Sequence, residues 1–225
     1  GNPERRFAED ALRILRGVRF AVRYGLTPDP ETEKAMTDLS PRVLTLASER
    51  VYSELCKLLP LVKAEDLIRF GPVLAEILPE LKPQLGYDQR NHHHIHDLYT
   101  HTALVTGSVP PKLHLRWAAL LHDTGKIATF TQDETGRGHF YGHARESAAL
   151  ADAALRQLKA PTALREQAVL LIEQHMTPLI ADKKLLRRRL AKLGQEATLQ
   201  LLALQKADRS AKGVEDVDTD SDAAL

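Results

Sequence analysis

Apolar residues recur along most of this chain at helical spacing, three or four positions apart, which predicts an all-α fold. From Phe7 to Tyr24 the positions Ala11, Leu15, Val18 and Val22 mark one face of a single amphipathic helix, which Gly25, Pro28 and Pro30 bring to an end. Shorter periods predict helices over 31–39, over 49–59 with Ser48 as N-cap, and over 64–78 with a break at Gly71-Pro72. Pro79, Pro83 and Gly86 then interrupt the pattern and place a domain boundary near Leu85.

Beyond that boundary Asp97 can cap a helix running to about Thr106, and Pro110-Pro111 opens another. The second reads Leu113, Leu115, Trp117, Ala118, Leu120, Leu121, apolar on almost every side, so it belongs at the centre of a core. One segment breaks the helical rule: Thr129-Phe130-Thr131 and His139-Phe140-Tyr141 favour strands, and the polar, Gly-containing stretch between them suits a turn, so a small β-hairpin is expected. Helices should resume over 143–158, 162–175, 183–193 and 197–212, and the acidic stretch 213–225 reads as a disordered tail. The expected organisation is a helical domain over 1–85, then a second helical domain over 86–212 with one small hairpin.

Composition narrows the chemistry. A chain of 225 residues, 43% hydrophobic and 27% charged, can bury a real core. Its single cysteine, Cys56, excludes a disulfide framework and a thiolate metal site, so any metal must be held by histidine and carboxylate. No apolar run approaches the roughly 20 residues that span a bilayer, and the polar start lacks the apolar core of a signal peptide, so a cytoplasmic protein with no membrane contact is expected. The net charge of +1 hides two basic clusters, Arg5, Arg6, Arg13, Arg16, Arg19 and Arg23 near the start and Lys183, Lys184, Arg187, Arg188 and Arg189 later. Either could meet phosphates, and either could be a solvated helix face.

Most of the ten histidines fall between His92 and His143, around the central apolar helix. The pair His122-Asp123 ends that helix, where a carboxylate is costly unless paired or metal-bound. His101 follows a capped helix start, and Asp208 interrupts the apolar face Leu201, Leu204, Ala207 of a late helix. Four potential ligands thus come from three helical segments, a donor set suited to iron, manganese, zinc or nickel, with magnesium possible where carboxylates and waters dominate. The run Ala-Ala-Leu-Leu-His-Asp-Thr-Gly-Lys, residues 118–126, resembles the central motif of the HD-domain phosphohydrolases, whose arrangement of an early His, a His-Asp pair and a distant Asp it completes. That resemblance implies a divalent metal held by His101, His122, Asp123 and Asp208 and hydrolysis of phosphate esters. Asp123 would take part in catalysis and Lys126 would offset developing charge, while His139, His143 and His175 could bind phosphate, protonate a leaving oxygen or complete a second metal site. His92-His93-His94 could bind metal adventitiously and is kept apart.

In the first helix Asp10 and Arg13 stand at i and i+3, a carboxylate and a guanidinium that could together read a base edge or simply form a surface ion pair, with Gly17 letting a ligand come close. Glu-Asp-x-x-Arg at 9–13, followed by Arg-Phe-Ala-x-Arg-Tyr-Gly at 19–25, resembles bacterial tRNA nucleotidyltransferases, the CCA-adding and poly(A) polymerase family. Gly-Arg-Gly-His-Phe-Tyr-Gly-His at 136–143 is similar to members with a C-terminal HD domain. The resemblance implies a neck whose Asp10 and Arg13 bind the incoming nucleotide, tRNA as partner, and Arg16, Lys184, Arg187 and Arg188 as RNA contacts. It also implies a chain that starts after the polymerase-like head, so CTP and ATP would be partners only where that head is present. Two other readings stay open: an HD fold kept as an inactive structural and tRNA-binding module, and a stand-alone HD hydrolase of free nucleotides.

Overall fold

A computed structural model of the chain describes residues 1–90, 95–177 and 183–212. His92-His93-His94 and the tail 213–225 lie outside the described residues. The N-terminal half is built from α1 (Pro3–Glu9), α2 (Leu12–Tyr24), α3 (Pro30–Leu39), a 3-10 turn (Ser40–Thr45), α4 (Ser48–Leu58), α5 (Ala64–Arg69), α6 (Gly71–Ile77) and a second 3-10 turn (Pro79–Gln84). After it come α7 (Leu98–Ser108), α8 (Leu113–Leu121), β1 (Thr131–Gln132), β2 (Gly138–His139), α9 (His143–Gln157), α10 (Thr162–Gln174) and α11 (Lys183–Ala211). The two short strands pair antiparallel, Thr131 opposite His139, so the fold is all-α with the one expected hairpin.

Three local expectations change. The helix expected over Phe7 to Tyr24 is two helices, because Asp10 leaves helical geometry at φ −151° and its side chain instead accepts the free N–H of Leu12 at 3.1 Å. Ser48 is the first residue of α4 rather than its cap, and Ala47 stands in the cap position. Pro110-Pro111 precede α8 without entering it, the cap being Lys112. The break at Gly71-Pro72 stands as expected, and Gly194, at φ 79°, interrupts α11 between the two helical periods seen in the sequence.

α1 packs on α3 and α2 on α4, while α8 is enclosed by α7, α10, α9 and α11. Leu115, Trp117, Ala118, Ala119 and Leu121 of α8 have no exposed surface. One apolar cluster runs from Phe7 to Ala211, so the two halves share a core across Leu85. The junction is close: Gly107 of α7 lies so near α5 that a Cβ there would stand 2.5 Å from the backbone nitrogen of Ala64. Polar ties cross it as well. The buried Tyr99 hydroxyl donates to Leu67 O at 2.9 Å, and the Arg116 guanidinium donates to Val62 O and Thr106 O at 3.0 and 2.5 Å. Thr102 Oγ1 donates to Gln84 Oε1 at 2.9 Å. Among the described residues no helix is long and apolar enough to cross a membrane.

Candidate metal centre

Each ligand candidate is set by the end or interior of a different element. Asp97 caps α7, accepting the N–H groups of Tyr99 and Thr100 at 3.0 and 3.1 Å, which fixes the first turn and aims His101 inward from the next. α8 stops at Leu121, and His122 Nδ1 contacts Ala119 O at 2.8 Å. That contact makes Nδ1 the donor and turns Nε2 into the site, where it can bind a cation once its proton has left. Gly125 donates its N–H to Ser147 Oγ at 2.8 Å, and α9 lies against this turn so tightly that a Cβ at Gly125 would stand 2.5 Å from Ser147 N and 2.7 Å from His143 O. α9 can therefore bring His143 to Asp123. Asp208 comes from the part of α11 beyond Gly194.

The ligand atoms of His101, His122, Asp123 and Asp208 lie within 4.8 Å of one another, and all four residues are buried. His101 Nε2 is 3.0 Å from Asp208 Oδ1 and 3.5 Å from Asp123 Oδ2; His122 Nε2 is 3.2 Å from Asp123 Oδ2 and 3.8 Å from Asp208 Oδ1. A second group, Asp123 with His143 and His175, meets the same criterion. It uses the other carboxylate oxygen: His143 Nε2 and His175 Nε2 are 3.4 and 3.8 Å from Asp123 Oδ1. Asp123 therefore faces two adjacent clusters with its two oxygens.

The donors suit a divalent cation. Two atoms bound to one ion at about 2.1 Å, at right or tetrahedral angles, stand roughly 3.0 to 3.4 Å apart, close to several of these spacings. His122 Nε2 is fully buried and, among the described residues, has no hydrogen-bond partner, although two carboxylate oxygens flank it. Burial alone would push the His122 imidazolium down, but the charges of Asp123 and Asp208 outweigh it and hold the group up at about 10. Burial likewise opposes the Asp123 charge, and His122 with Lys126 more than offsets it, keeping the carboxyl well below its usual range. His175 moves the other way, to about 3, through burial and the neighbouring His122 and His143. Without metal the two carboxylates favour a proton on His122, and a cation could replace that proton.

The structure redistributes other expected site residues. Lys126 does not reach outward: it is 5% exposed, its Nζ lying 2.8 Å from Asp123 Oδ2 and 2.9 Å from Gln89 Oε1, with the Phe140 ring 5.4 Å away. Gln89 was not legible as a site residue, since a lone glutamine in a linker carries no spacing signal. His139 belongs to neither ligand group; its Nε2 bonds Asp133 Oδ2 at 2.8 Å and its ring stacks on Tyr141. His143 and His175 are the two that join Asp123.

At the other end of the chain, Asp10 and Arg13 do not pair with each other. Arg13 holds Glu9 at 2.9 Å and Arg6 O at 3.0 Å, and Asp10 faces Arg50 at 3.5 Å while accepting the Leu12 N–H. Gly17 opens to no ligand: a Cβ there would meet Met36 Cε at 2.4 Å. Arg16, Lys184, Arg187 and Arg188 are exposed, on α2 and α11.

Residues 88–213 match the family described as HD domain, and residues 25–85 match the one described as probable RNA and SrmB-binding site of polymerase A. The A-adding tRNA nucleotidyltransferase of Deinococcus radiodurans is 36% identical over 219 residues, 90% of this chain and 49% of that protein. The CC-adding tRNA nucleotidyltransferase of Thermus thermophilus is 35% identical over 227 residues, 94% of this chain and 52% of that protein. The multifunctional CCA protein of an Azoarcus species is 37% identical over 180 residues, 75% of this chain and 43% of that protein. The chain spans about half the length of the curated relatives it matches.

Proposed function

Because this chain belongs to the HD domain family and carries an RNA-binding segment like that of the polymerase A family in front of it, we propose that it acts in maturation of tRNA 3′ ends, binding RNA through residues 1–85 and hydrolysing phosphate esters at a divalent-metal site in residues 86–212. The observation that carries the hydrolytic half is Asp123, whose Oδ2 faces His101 and His122 and whose Oδ1 faces His143 and His175. When bound, a divalent cation there would polarise a phosphoryl oxygen and acidify water. His101, His122, Asp123 and Asp208 would hold it, and His143 and His175 would hold a second cation, or His143 would donate a proton. Lys126 fixes the Asp123 carboxylate, with Gln89 fixing Lys126. Asp10, Arg13, Arg16, Lys184, Arg187 and Arg188 remain the proposed nucleotide and RNA contacts, Asp10 and Arg13 acting separately. Nucleotide addition with CTP or ATP is proposed only for a protein that also contains a polymerase-like head.

Purified chain loaded with magnesium, manganese, nickel, zinc or ferrous iron in turn, and offered 2′,3′-cyclic nucleotides, nucleoside monophosphates and RNA ends, tests this reading. Turnover that His122→Ala and Asp123→Ala abolish supports it; no turnover with any metal, or turnover those variants retain, overturns it. One observation favours a second reading, a metal-stabilised structural module: His101, His122, Asp123, Lys126 and His175 are each at most 5% exposed, leaving little room for a substrate at the ligands. Metal binding and tRNA binding without hydrolysis would select that reading.

A further inference from the structure

The face of α2 that turns away from the core carries two ring side chains in water. Phe20 is 37% exposed and Tyr24 is 62% exposed, and one helical turn brings their rings to 6.1 Å between centroids with planes inclined by 24°. Ile14, Leu15, Val18 and Ala21 meet the helix's core requirement on the opposite side. Nothing in the packing of α2 therefore calls for Phe20 and Tyr24. A contiguous exposed aromatic pair is unlike the scattered single apolar residues of an ordinary surface and marks a place where something binds.

The neighbours indicate what. Arg16 and Arg23 lie on the same face, both exposed, and among the described residues neither has an ion-pair partner. The Arg23 guanidinium lies 5.6 Å from the Tyr24 ring centroid and that of Arg19 lies 4.4 Å from the Phe20 centroid. Arg19 is held there from below by Glu54, at 2.9 Å. From Arg16 to Tyr24 the stripe runs about 12 Å along the helix, cation, ring, cation, ring, with no carboxylate in it. A face built to meet another protein's apolar surface would leave the arginines unmatched. A strand of unpaired nucleic acid offers both complements at once, flat bases for the rings and phosphates for the guanidiniums.

We infer that Phe20 and Tyr24, with Arg16 and Arg23, form a stacking platform for unpaired RNA bases. The inference rests on the reading that residues 1–85 bind RNA, and it places a base-contacting site just ahead of the matched RNA-binding segment, which begins at residue 25. Stacking is the element that distinguishes it from simple charge attraction: the rings should favour unpaired bases over a duplex, whose bases already stack on one another.

The test uses the chain itself, a short single-stranded RNA carrying 2-aminopurine, and a blunt RNA duplex of the same length. Binding of the single strand should change the 2-aminopurine fluorescence, and Phe20→Ala and Tyr24→Ala should each weaken it about tenfold, about 1.4 kcal/mol, with duplex binding unmoved. Tyr24→Trp should restore the wild-type signal. Arg16→Ala and Arg23→Ala should instead reduce the salt dependence on both RNAs. Both ring positions are exposed, and an unchanged thermal midpoint confirms that the variants fold. Undiminished single-strand binding by Phe20→Ala and Tyr24→Ala overturns the platform while leaving RNA binding intact, whereas a wild-type chain that binds neither RNA overturns the RNA-binding reading and the platform with it. Self-association that depends on Tyr24 in the absence of RNA, with RNA affinity unaltered, assigns the stripe to a protein contact and also overturns the inference.

Discussion

His143 Nε2 and His175 Nε2 face each other at 3.2 Å, while Nδ1 of His143 contacts Phe140 O at 2.8 Å and Nδ1 of His175 contacts Ile172 O at 2.6 Å. A carbonyl can only accept, so each Nδ1 is a donor and each neutral ring turns its lone pair toward the other. Two lone pairs at that distance repel unless a proton or a metal ion sits with them. Asp123 Oδ1, 3.4 Å from His143 Nε2, completes a pocket for positive charge.

On the proposed reading the centre would take two cations, which share Asp123. After loading and dialysis, His175→Ala should reduce the metal content from about two equivalents to about one, and Asp123→Ala should reduce it close to zero. Elemental analysis checks both. Equal losses in the two variants would contradict the shared-carboxylate arrangement.

Metal affinity should rise with pH. In the metal-free fold His122 keeps its proton up to about 10, so a cation must displace that proton throughout the neutral range. Isothermal titration between pH 6 and 9 should show affinity growing by up to about tenfold per unit, with proton release visible as a buffer-dependent heat. Stability without metal follows the opposite sign. A folded pKa above the unfolded value of 6.5 gives a contribution fully present below pH 6.5 and lost as pH climbs toward 10, so the metal-free thermal midpoint should fall over that window. His175, held near 3, adds a loss on the acid side, its contribution being present above pH 6.5 and fading as pH falls toward 3.

Gly125→Ala should damage the site without touching a ligand. The new methyl would meet backbone atoms of Ser147 and His143 at 2.5 and 2.7 Å, and backbone cannot swing aside as a side-chain tip can. α9 must move away, taking His143 from Asp123. The expected cost is about 1 to 3 kcal/mol in urea unfolding, with weaker binding of the second cation. Gly17→Ala serves as the contrast, because its new methyl meets only the end of the Met36 side chain, which can change rotamer where backbone cannot shift, and it should be nearly neutral.

Arg116→Met should loosen the junction between the two halves. Arg116 is 6% exposed and holds the carbonyls of Val62 and Thr106 on either side of that junction. Leaving two buried carbonyls without their donor should cost about 3 kcal/mol, measurable as a lower urea midpoint. An unchanged midpoint would mean that water replaces the guanidinium.

Much of this was legible in the sequence, for identifiable reasons. The apolar run of α8 and its ending at His122-Asp123 report burial directly, and the Asp97 cap and the polar turn of the hairpin are local signals that nothing distant overrides. His101 and Asp208 could be joined to His122 only through the motif, since 107 positions separate the outer two and periodicity does not say which helices meet. What stayed hidden was decided by tertiary contact. The break at Asp10 lies inside an unbroken helical period and is seen only from the bond its side chain accepts from the Leu12 N–H. The turn of Lys126 into the core depends on Gln89, supplied by a linker. Asp133, six positions before His139 across the hairpin turn, holds that ring apart from the ligand groups through a hydrogen bond the sequence does not reveal.

His101, His122, Asp123 and Asp208 are proposed to hold a divalent cation. The most direct test is the metal content of the chain purified without chelator and compared with a correctly folded His122→Ala variant by elemental analysis. The parent should carry at least one equivalent of a divalent metal and the variant should lose most of it; a parent that neither contains nor takes up metal, or a variant that retains the full amount, rules the site out.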